Sequence, residues 1–344
     1  MKAIMKVRGE FGALEVVDIP KPEIAAGDEV LLRVHSAAVC GSDIHAYEYI
    51  PSYQSFMKIP VVLGHEACGV VEAVGKDVTQ FSPGDKVMGE SNVYCGKCRN
   101  CRTGFTNICD NNLMRGLTTT GVMQEYVVFK EKNLHSVPGS LSFDEGASAQ
   151  ACTVSSHGAL HRINISAGDA VVVTGVGIIG MASAQLARLK GANVILVGTD
   201  DDEAIRLPLA KTMGFRTLNC QKEDIVSASA EHFGRKADFV LECSGASSAI
   251  VSASDTVRKG GTVLLLGLVG KDVPFPFAKV IRAEVNIITS YTSTWIDYEE
   301  TLEFIRTGAL DIKPFLSVYP IEKGVSAFED AYAKKVLKPV IHFV

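Results

Sequence analysis

Two patterns of hydrophobic residues divide the chain near residue 150. Before that point, β-branched runs such as "DEVLLRVHSAAV" and "QEYVVFKEKNLHSV" partly alternate with polar positions, and turn signals such as "SPGD" separate them. Beyond it, from "GDAVVVTGVGIIGMASAQLARLKGANVILVGTD" onward, short apolar runs alternate with helical patterns. The first pattern predicts a β-rich domain. The second predicts an α/β domain with a parallel sheet and helices on both of its faces.

The same patterns predict the domain boundaries. "FDEGASAQACTVSSHGALHR" is typical of a connecting helix, and "ADFVLECSG", "GGTVLLLGL" and "EVNIITS" are further strand candidates. After about residue 290 the alternation fades into one amphipathic helix, "DYEETLEFIRTGAL", and a final strand, "PVIHFV". We therefore predict a doubly wound domain over residues 153–290. The tail, 291–344, is expected to return to the β-rich domain of residues 1–152.

Composition and charge narrow the class of protein. The chain has 344 residues, of which 47% are hydrophobic and 21% charged, as in globular proteins of more than one domain. Its net charge of −5 comes without a strong basic patch, which argues against a nucleic-acid partner. No uninterrupted apolar run reaches about 18 residues, and "MKAIMKVRGE" is not typical of a signal peptide. These features predict a cytoplasmic protein with no membrane span.

A glycine motif marks the start of the second pattern. Gly175, Gly177 and Gly180 follow the apolar run "AVVVT" and open a helical segment, which is the G-x-G-x-x-G arrangement in its required context. The first glycine permits a tight turn, the second lets the backbone approach a pyrophosphate, and the third allows close helix–strand packing. The helix N-terminus then offers free N–H groups to the phosphates. The motif predicts a bound dinucleotide.

An acidic run follows the next strand and bears on which dinucleotide is bound. Thr199 and Asp200 stand where a residue that holds the ribose hydroxyls of NAD is expected, about 20 residues after the glycines. The same run, through Glu203, could instead be a solvated cap of the next helix. Arg206 is the nearest cation in the sequence. Because four acids repel a 2′-phosphate, the run favours NAD over NADP.

Two groups of candidate metal ligands lie in the first pattern. "CGSDIH" and "GHEACG" place Cys40 and His65 each beside a carboxylate, and a zinc ion with three protein ligands and one open position is the catalytic arrangement. Asp43 could orient His65 through its second ring nitrogen. Ser42 and His45 could form a proton path from hydroxyl to imidazole. Each of these residues singly also has a structural explanation, as a buried thiol, a turn residue or a surface histidine.

The second group is "CGKCRNCRTGFTNIC", a lobe near residues 90–112 in which four cysteines follow C-x2-C-x2-C-x7-C. They are Cys95, Cys98, Cys101 and Cys109. Four thiolates complete a tetrahedral zinc and leave no place for substrate, so this site should clamp a loop. An iron–sulfur cluster normally uses other spacings, and a C-x-x-C redox pair would lie beside a βαβ unit. Cys68, Cys220 and Cys243 are expected to be ordinary buried thiols.

Taken together, "CGSDIH", "GHE", the four-cysteine lobe, "GVGIIG" and "LECSG" resemble the zinc-containing medium-chain dehydrogenase/reductase family over essentially the whole chain. The resemblance implies a GroES-like catalytic domain and a Rossmann domain. It also implies catalytic zinc ligands at Cys40 and His65, with Glu66 beside them. The relay would be Ser42 and His45, and a homodimer or homotetramer is the usual assembly. The nicotinamide would be lined by Ile179, by Gly267 and Leu268, and by the segment 290–292.

The third ligand of the catalytic zinc is where the chain departs from this family. The family's polyol and threonine enzymes carry a carboxylate seven residues before a histidine, and counting back from His157 gives Gln150, a weak and neutral ligand. Cys152 is a stronger ligand, but in a helix it lies about 200° away around the axis from Gln150. We therefore predict a zinc held by Cys40, His65 and Glu66, with Gln150 close by.

Two functions remain open on the sequence alone. The first is a zinc-dependent oxidoreductase that transfers hydride between a small secondary alcohol, such as a polyol or a hydroxy-amino acid, and NAD. The alternative is a dinucleotide-binding protein with only the structural zinc. The region "YEYIPSYQSFM" could line a substrate pocket or belong to the core, and it does not distinguish the substrates.

Overall fold

The computed structural model describes all 344 residues and contains two compact units. Unit 1 comprises Met1–Ala151 and Thr294–Val344, and unit 2 comprises Cys152–Ser293. Among the helices, none combines the length and the apolar character that crossing a bilayer requires.

Unit 1 is built mainly of antiparallel strands. Its strands are β1 (Lys2–Lys6), β2 (Leu14–Asp18), β3 (Glu29–Ala38), β4 (Val61–Val62), β5 (Glu66–Val74), β6 (Lys86–Gly89), β7 (Asn92–Val93), β8 (Leu113–Met114), β9 (Tyr126–Lys130), β10 (Leu134–Ser136), β17 (Leu316–Pro320) and β18 (Lys338–His342). Its helices are α1 (Gly41–Glu48), α2 (Pro51–Gln54), α3 (Arg99–Arg102), α10 (Trp295–Thr307) and α11 (Gly324–Tyr332). Helix α4 (Phe143–Ser156) starts in this unit and continues as a π-helical turn, His157–Arg162.

The largest sheet of unit 1 has seven strands in the order β10-β6-β5-β3-β18-β17, with β9 also paired to β3. Strand β18 comes from the C-terminal tail and lies antiparallel to the end of β3, with Val340 opposite Ala38. The expected strand "PVIHFV" and the helix "DYEETLEFIRTGAL" are both present, as β18 and α10.

The aromatic region that the sequence left open belongs to the core of unit 1. Tyr47 and Tyr53 are buried in the hydrophobic cluster, and Tyr49 and Phe56 pack against it. Their apolar rings are therefore removed from water by the fold of this unit, which explains why the segment is so rich in them.

Unit 2 is an all-parallel six-stranded sheet. Its strands are β11 (Ala170–Thr174), β12 (Asn193–Gly198), β13 (Arg216–Asn219), β14 (Ala237–Glu242), β15 (Val257–Leu265) and β16 (Asn286–Thr289). Its helices are α5 (Ile178–Leu189), α6 (Arg206–Thr212), α7 (Ile225–Phe233), α8 (Ser247–Thr256) and α9 (Phe277–Arg282). The strand order β13-β12-β11-β14-β15-β16 reverses direction beside β11, as in the doubly wound dinucleotide-binding fold. The predicted fold class is confirmed.

Local packing explains the glycines that connect β11 to α5. Gly175 has a φ of +94°, which a residue with a side chain rarely adopts. A Cβ atom on Gly180 would lie 1.9 Å from the carbonyl oxygen of Gly175, so only glycine allows the first turn of α5 to approach the loop. Gly177, in contrast, has an ordinary φ of −75° and open space where a Cβ atom would be.

We expect Gly180→Ala to destabilise unit 2 by about 1–3 kcal/mol, because the added methyl group forces the helix away from the loop. Gly177→Ala, at the neighbouring position of the same motif, should unfold like the parent protein. Thermal unfolding followed by circular dichroism compares the two variants. Equal midpoints for both would contradict this account of the close approach.

Candidate metal and dinucleotide sites

The predicted catalytic ligands come together because of one strand pairing in unit 1. Cys40 follows the end of β3, and His65 and Glu66 stand at the start of β5. These two strands are antiparallel, with Ala38 opposite Glu66, so the end of one lies beside the start of the other. The thiol, imidazole and carboxylate ligand atoms all lie within 4.8 Å of one another.

Asp43 supports this cluster from helix α1. Its Oδ2 atom accepts a hydrogen bond of 2.9 Å from the backbone N–H of Cys40, which fixes the loop that carries the thiol. Its buried Oδ1 atom has no hydrogen-bond donor and lies 3.7 Å from Nδ1 of His65. That separation is longer than a hydrogen bond. The carboxylate therefore faces the imidazole as expected, at ion-pair rather than hydrogen-bond distance.

Glu66 is fully buried beside a lysine that the sequence interpretation missed. Its Oε2 atom lies 2.5 Å from Nζ of Lys338, which also donates to the carbonyl oxygen of Val39 at 3.0 Å. Burial raises the pKa of Glu66 to about 8, against the opposing effect of Lys338. The Oε1 atom has no hydrogen-bond donor. An orphaned carboxylate oxygen next to a thiol and an imidazole fits a bound metal ion. The only sequence signal for Lys338 was a charge at the start of an apolar strand.

The predicted relay residues lie on helix α1, immediately after Cys40. Both Ser42 and His45 are half-buried, and no hydrogen bond joins their side chains. Burial lowers the pKa of His45, and its ring packs edge-to-face on Tyr53 with 5.6 Å between centroids. A neutral imidazole at this place can accept a proton.

Gln150 lies on helix α4, in a buried network that the sequence interpretation did not find. Its Nε2 atom lies 3.5 Å from the hydroxyl oxygen of Tyr298. The ring of Tyr298 stacks on His135 at 4.6 Å and 6°, and His135 lies between the carboxylates of Glu90 (3.1 Å) and Glu299 (2.6 Å). Because the residues of this network are far apart in the chain, no sequence motif connected them. The nearness of Gln150 to a metal stays a prediction, as does the exclusion of Cys152, which is buried.

The cysteine lobe has the geometry of a closed metal site. Its four sulfur atoms lie within 4.8 Å of one another. Backbone N–H groups point at them: Cys95 Sγ accepts from Lys97 and Cys98, each at 3.4 Å, and Cys109 Sγ accepts from Cys95 at 3.3 Å. The N–H groups of Lys97 and Cys98 lower the pKa of Cys95 to about 6, which favours the thiolate that zinc requires, whereas burial raises the pKa of Cys101 to about 12. The lobe therefore fits a tetrahedral zinc held by four cysteines, with no position left for substrate.

The remaining cysteines are not all alike. Cys68 is buried, as expected, and Cys243 is half-buried. Cys220, however, is exposed, so its assignment as a buried thiol was wrong. It comes directly after the last residue of β13, where the chain leaves the sheet.

The dinucleotide motif of unit 2 lies at the carboxyl end of β11. Gly177 is the N-cap of α5, and the open space at its Cα is of the kind that a pyrophosphate needs to approach the backbone. Ile179 is in the first turn of the same helix. Gly267 and Leu268 follow β15, and Leu268 is exposed. All of them follow carboxyl ends of parallel strands, the edge at which this fold binds ligands.

The acidic run after β12 contains the predicted cap, while the binding of ribose hydroxyls by Asp200 stays a prediction. Asp202 is a cap, since its Oδ2 atom accepts from Thr199 N–H (3.0 Å) and Thr199 Oγ1 (2.9 Å). Asp200 is instead half-exposed and accepts from Asn219 Nδ2 at 2.7 Å.

Two cations lie against the acidic run. Arg206 pairs with Asp202 at 3.4 Å. Lys222, which the sequence did not indicate, lies 3.7 Å from Asp200 and 2.6 Å from Glu203. Arg206 is thus the nearest cation in sequence, but Lys222 is the one that reaches Asp200.

Two protein-family models match the chain, and curated dehydrogenases are similar to it over nearly its full length. The family model "Alcohol dehydrogenase GroES-like domain" matches residues 26–139, and "Zinc-binding dehydrogenase" matches 179–307. An L-threonine 3-dehydrogenase from Shewanella woodyi is 34% identical over 98% of this chain and 99% of its own. One from Escherichia coli K12 is 33% identical with the same coverage.

Solved structures of similar fold cover nearly the whole chain. The alcohol dehydrogenase TADH from Thermus sp. ATN1 superposes with a TM-score of 0.90 at 27% identity, covering 99% of each chain. A Sinorhizobium meliloti 1021 protein solved with NADP bound gives a TM-score of 0.90 at 28% identity, covering 99% of this chain and 98% of its own.

The lobe yields a test of its structural role. Cys98→Ser removes one of four thiolates, so we expect the loss of about one zinc per chain and a lower unfolding midpoint. Cys220→Ser, at an exposed cysteine outside both clusters, is the matched control and should change neither. Metal analysis and thermal unfolding measure both effects. A stable Cys98→Ser protein that has lost only the chemical step would contradict the structural assignment.

Proposed function

Because this chain belongs to the zinc-containing medium-chain dehydrogenase/reductase family, whose cofactors are zinc and a nicotinamide dinucleotide, we propose that it oxidises a small secondary alcohol with NAD. At the level of the family it is an oxidoreductase of alcohols. The coenzyme preference, the substrate and the residue roles given below are parts of the proposal.

The observation that carries the proposal is the cluster of Cys40, His65 and Glu66. A protein that bound only a dinucleotide and a structural zinc would have no use for a thiol, an imidazole and a buried carboxylate within 4.8 Å of one another. Glu66 is fully buried, and although Lys338 contacts its Oε2 atom, its Oε1 atom has no hydrogen-bond donor, so a second cation would satisfy an oxygen that Lys338 leaves unpaired. The alternative function therefore leaves this unpaired oxygen unexplained.

The chain's own residues would bind the alcohol, orient it and move its proton. Zinc, when bound, supplies the Lewis acidity that lowers the pKa of a hydroxyl, and the oxidised nicotinamide supplies a hydride acceptor. Cys40 and His65 would hold the metal, while Asp43 fixes the Cys40 loop through its backbone N–H. Ser42 Oγ would take the hydroxyl proton and pass it to the imidazole of His45, whose pKa is lowered by burial.

The substrate class follows from the relatives. Both of the curated relatives named above are L-threonine 3-dehydrogenases, and they match over almost their full length. We therefore place a β-hydroxy-amino acid first and a polyol second. The family resemblance implies a carboxylate at the position of the neutral Gln150, and this difference is why a polyol is kept as the second class.

The charges around Asp200 support NAD. A 2′-phosphate near this residue would face the carboxylates of Asp200 and Glu203. Lys222 lies 2.6 Å from Glu203 and offsets one of these two charges, so the three side chains together keep a net negative charge. Repulsion of a 2′-phosphate by this remaining charge supports the proposed preference for NAD. By resemblance to the family we also propose a homodimer or homotetramer, acting in the cytoplasm.

An assay of coenzyme reduction tests the proposal. NAD reduction is measured over threonine, polyols and simple secondary alcohols, with NADP side by side. We expect turnover of at least one class, with kcat/KM at least about tenfold higher for NAD, equivalent to about 1.4 kcal/mol. Cys40→Ser should abolish it, whereas Cys220→Ser should not. About one zinc per chain and no turnover in the fully zinc-loaded protein would favour the dinucleotide-binding alternative, and a tenfold preference for NADP would refute the coenzyme assignment.

The third zinc ligand is tested separately. We expect Glu66→Gln to weaken catalytic zinc binding by about 10–100-fold and to lower activity, since the carboxylate is lost from the cluster. Gln150→Glu should tighten zinc binding, because it restores the carboxylate of related enzymes. Zinc retained after dialysis against a chelator is the readout. Glu48→Gln, on the same helix as Asp43 but outside the cluster, is the control. If Glu66→Gln is silent while Cys152→Ser removes zinc and activity, Cys152 is the third ligand.

A further inference from the structure

A further cluster of possible metal ligands, two imidazoles and one carboxylate, lies in unit 1. It shares no residue with either of the proposed zinc sites. It consists of His35 on β3, Asp144 in the first turn of α4 and His342 at the end of β18. Their ligand atoms all lie within 4.8 Å of one another. The three residues are more than a hundred positions apart in the chain, so no sequence motif indicated the cluster.

A bulge in strand β3 gives His35 its direction. Along the β3–β5 ladder, Val34 lies opposite Gly69 and Ser36 lies opposite the adjacent Cys68, so His35 is an extra residue without a partner. A bulge of this kind redirects the side chain of the extra residue. On the other side of β3, Ser36 lies opposite His342. The two histidines therefore meet, with 5.3 Å between ring centroids.

Asp144, on helix α4, contacts both strands. Its Oδ1 atom lies 2.7 Å from Nε2 of His342 and accepts a hydrogen bond of 2.6 Å from the hydroxyl of Ser36. The side chains of Asp144 and His342 are 21% and 29% exposed, so an ion from solvent can reach them. These hydrogen bonds fix the position of the Asp144 carboxylate, which stays accessible to solvent.

The imidazole of His35 is fixed in orientation and kept neutral. It stacks on Phe143 at 4.1 Å with an interplanar angle of 8°. Burial lowers the pKa of His35, with His342, Arg33 and Lys86 acting in the same direction and Asp144 opposing. A neutral imidazole is the form that binds metals.

The two neighbouring cations both have partners of their own. Lys86 donates to the carbonyl oxygen of Leu141 and lies over the ring of Phe143. Arg33 lies 4.0 Å from Glu72. The group that contacts the cluster is instead the hydroxyl of Ser36, which lies 3.1 Å from Nδ1 of His35 and donates to Asp144, so a bound ion would displace it.

We propose that His35, Asp144 and His342 form a third metal site that takes one divalent transition-metal ion of the zinc–nickel–copper class. Imidazole nitrogens suit these metals, and a single carboxylate completes a three-ligand set with open positions for water. Metal–ligand distances of about 2.0–2.1 Å bring ligand atoms to about 3.3 Å apart in a tetrahedron. On binding, bonds to the ion would replace the present hydrogen bond between His342 and Asp144.

Nickel titration of the tag-free, zinc-loaded full chain tests the site. Isothermal titration calorimetry at pH 7.5 should show one Ni²⁺ bound per chain beyond the zinc. His35→Gln and His342→Gln should each raise the Kd at least about tenfold, equivalent to about 1.4 kcal/mol. Asp144→Asn should weaken binding in the same direction. His232→Gln is the matched control, because that histidine is exposed, packs on Phe233 and belongs to no ligand cluster.

Unfolding midpoints of the variants show whether each one is folded at the titration temperature. The two histidines lie on different strands, so a folded variant of either one still probes the site. The proposal fails if the parent protein binds no Ni²⁺ beyond the zinc. It fails equally if neither histidine variant weakens binding, if only one does, or if His232→Gln weakens it as much.

Discussion

The antiparallel pairing of β3 with β5 is the constraint on which the chemistry of unit 1 depends. It sets Ala38 opposite Glu66, so that a thiol after one strand meets an imidazole and a carboxylate at the start of the other. A slip of this pairing by one residue would turn the side chains of one strand to the opposite face of the sheet and separate the ligands. The same ladder contains the bulge at His35. Strand β3 therefore positions residues of both the thiol–imidazole–carboxylate cluster and the imidazole–carboxylate cluster.

Strand β18 completes both clusters from the far end of the chain. Lying against β3, it brings Lys338 to Glu66 and His342 to Asp144. A buried ion pair contributes little net stability, but removing one partner costs about 3–5 kcal/mol because the other charge is left alone. Glu66 is thus held by Lys338 through one oxygen while its second oxygen stays free. This arrangement lets a carboxylate stand beside a metal site without being committed to it.

In the glycine motif of unit 2, the fold requires one glycine and the expected ligand requires another. At Gly180 the absence of a side chain is needed by the fold, because the carbonyl of Gly175 occupies the space. At Gly177 the surroundings are open, and the need for glycine comes from the dinucleotide that the motif predicts. Among the acids after β12, Asp202 caps its own turn, whereas Asp200 accepts a hydrogen bond from Asn219, and its role at the ribose stays a prediction.

The sequence by itself determined the parts whose signals are local. Glycines at fixed spacing after an apolar strand, four cysteines within fifteen residues and alternating apolar runs each report the conformation of a short segment, and the fold class and both cofactors followed from them. Contacts between distant segments left no such signal, because pairing partners are chosen by the sheet and not by neighbours in the chain. Only the tertiary structure placed Lys338 on Glu66, Tyr298 by Gln150, Lys222 by Asp200 and His342 by His35. It also showed Cys220 to be exposed, since burial depends on the surroundings of a side chain and not on its own chemistry.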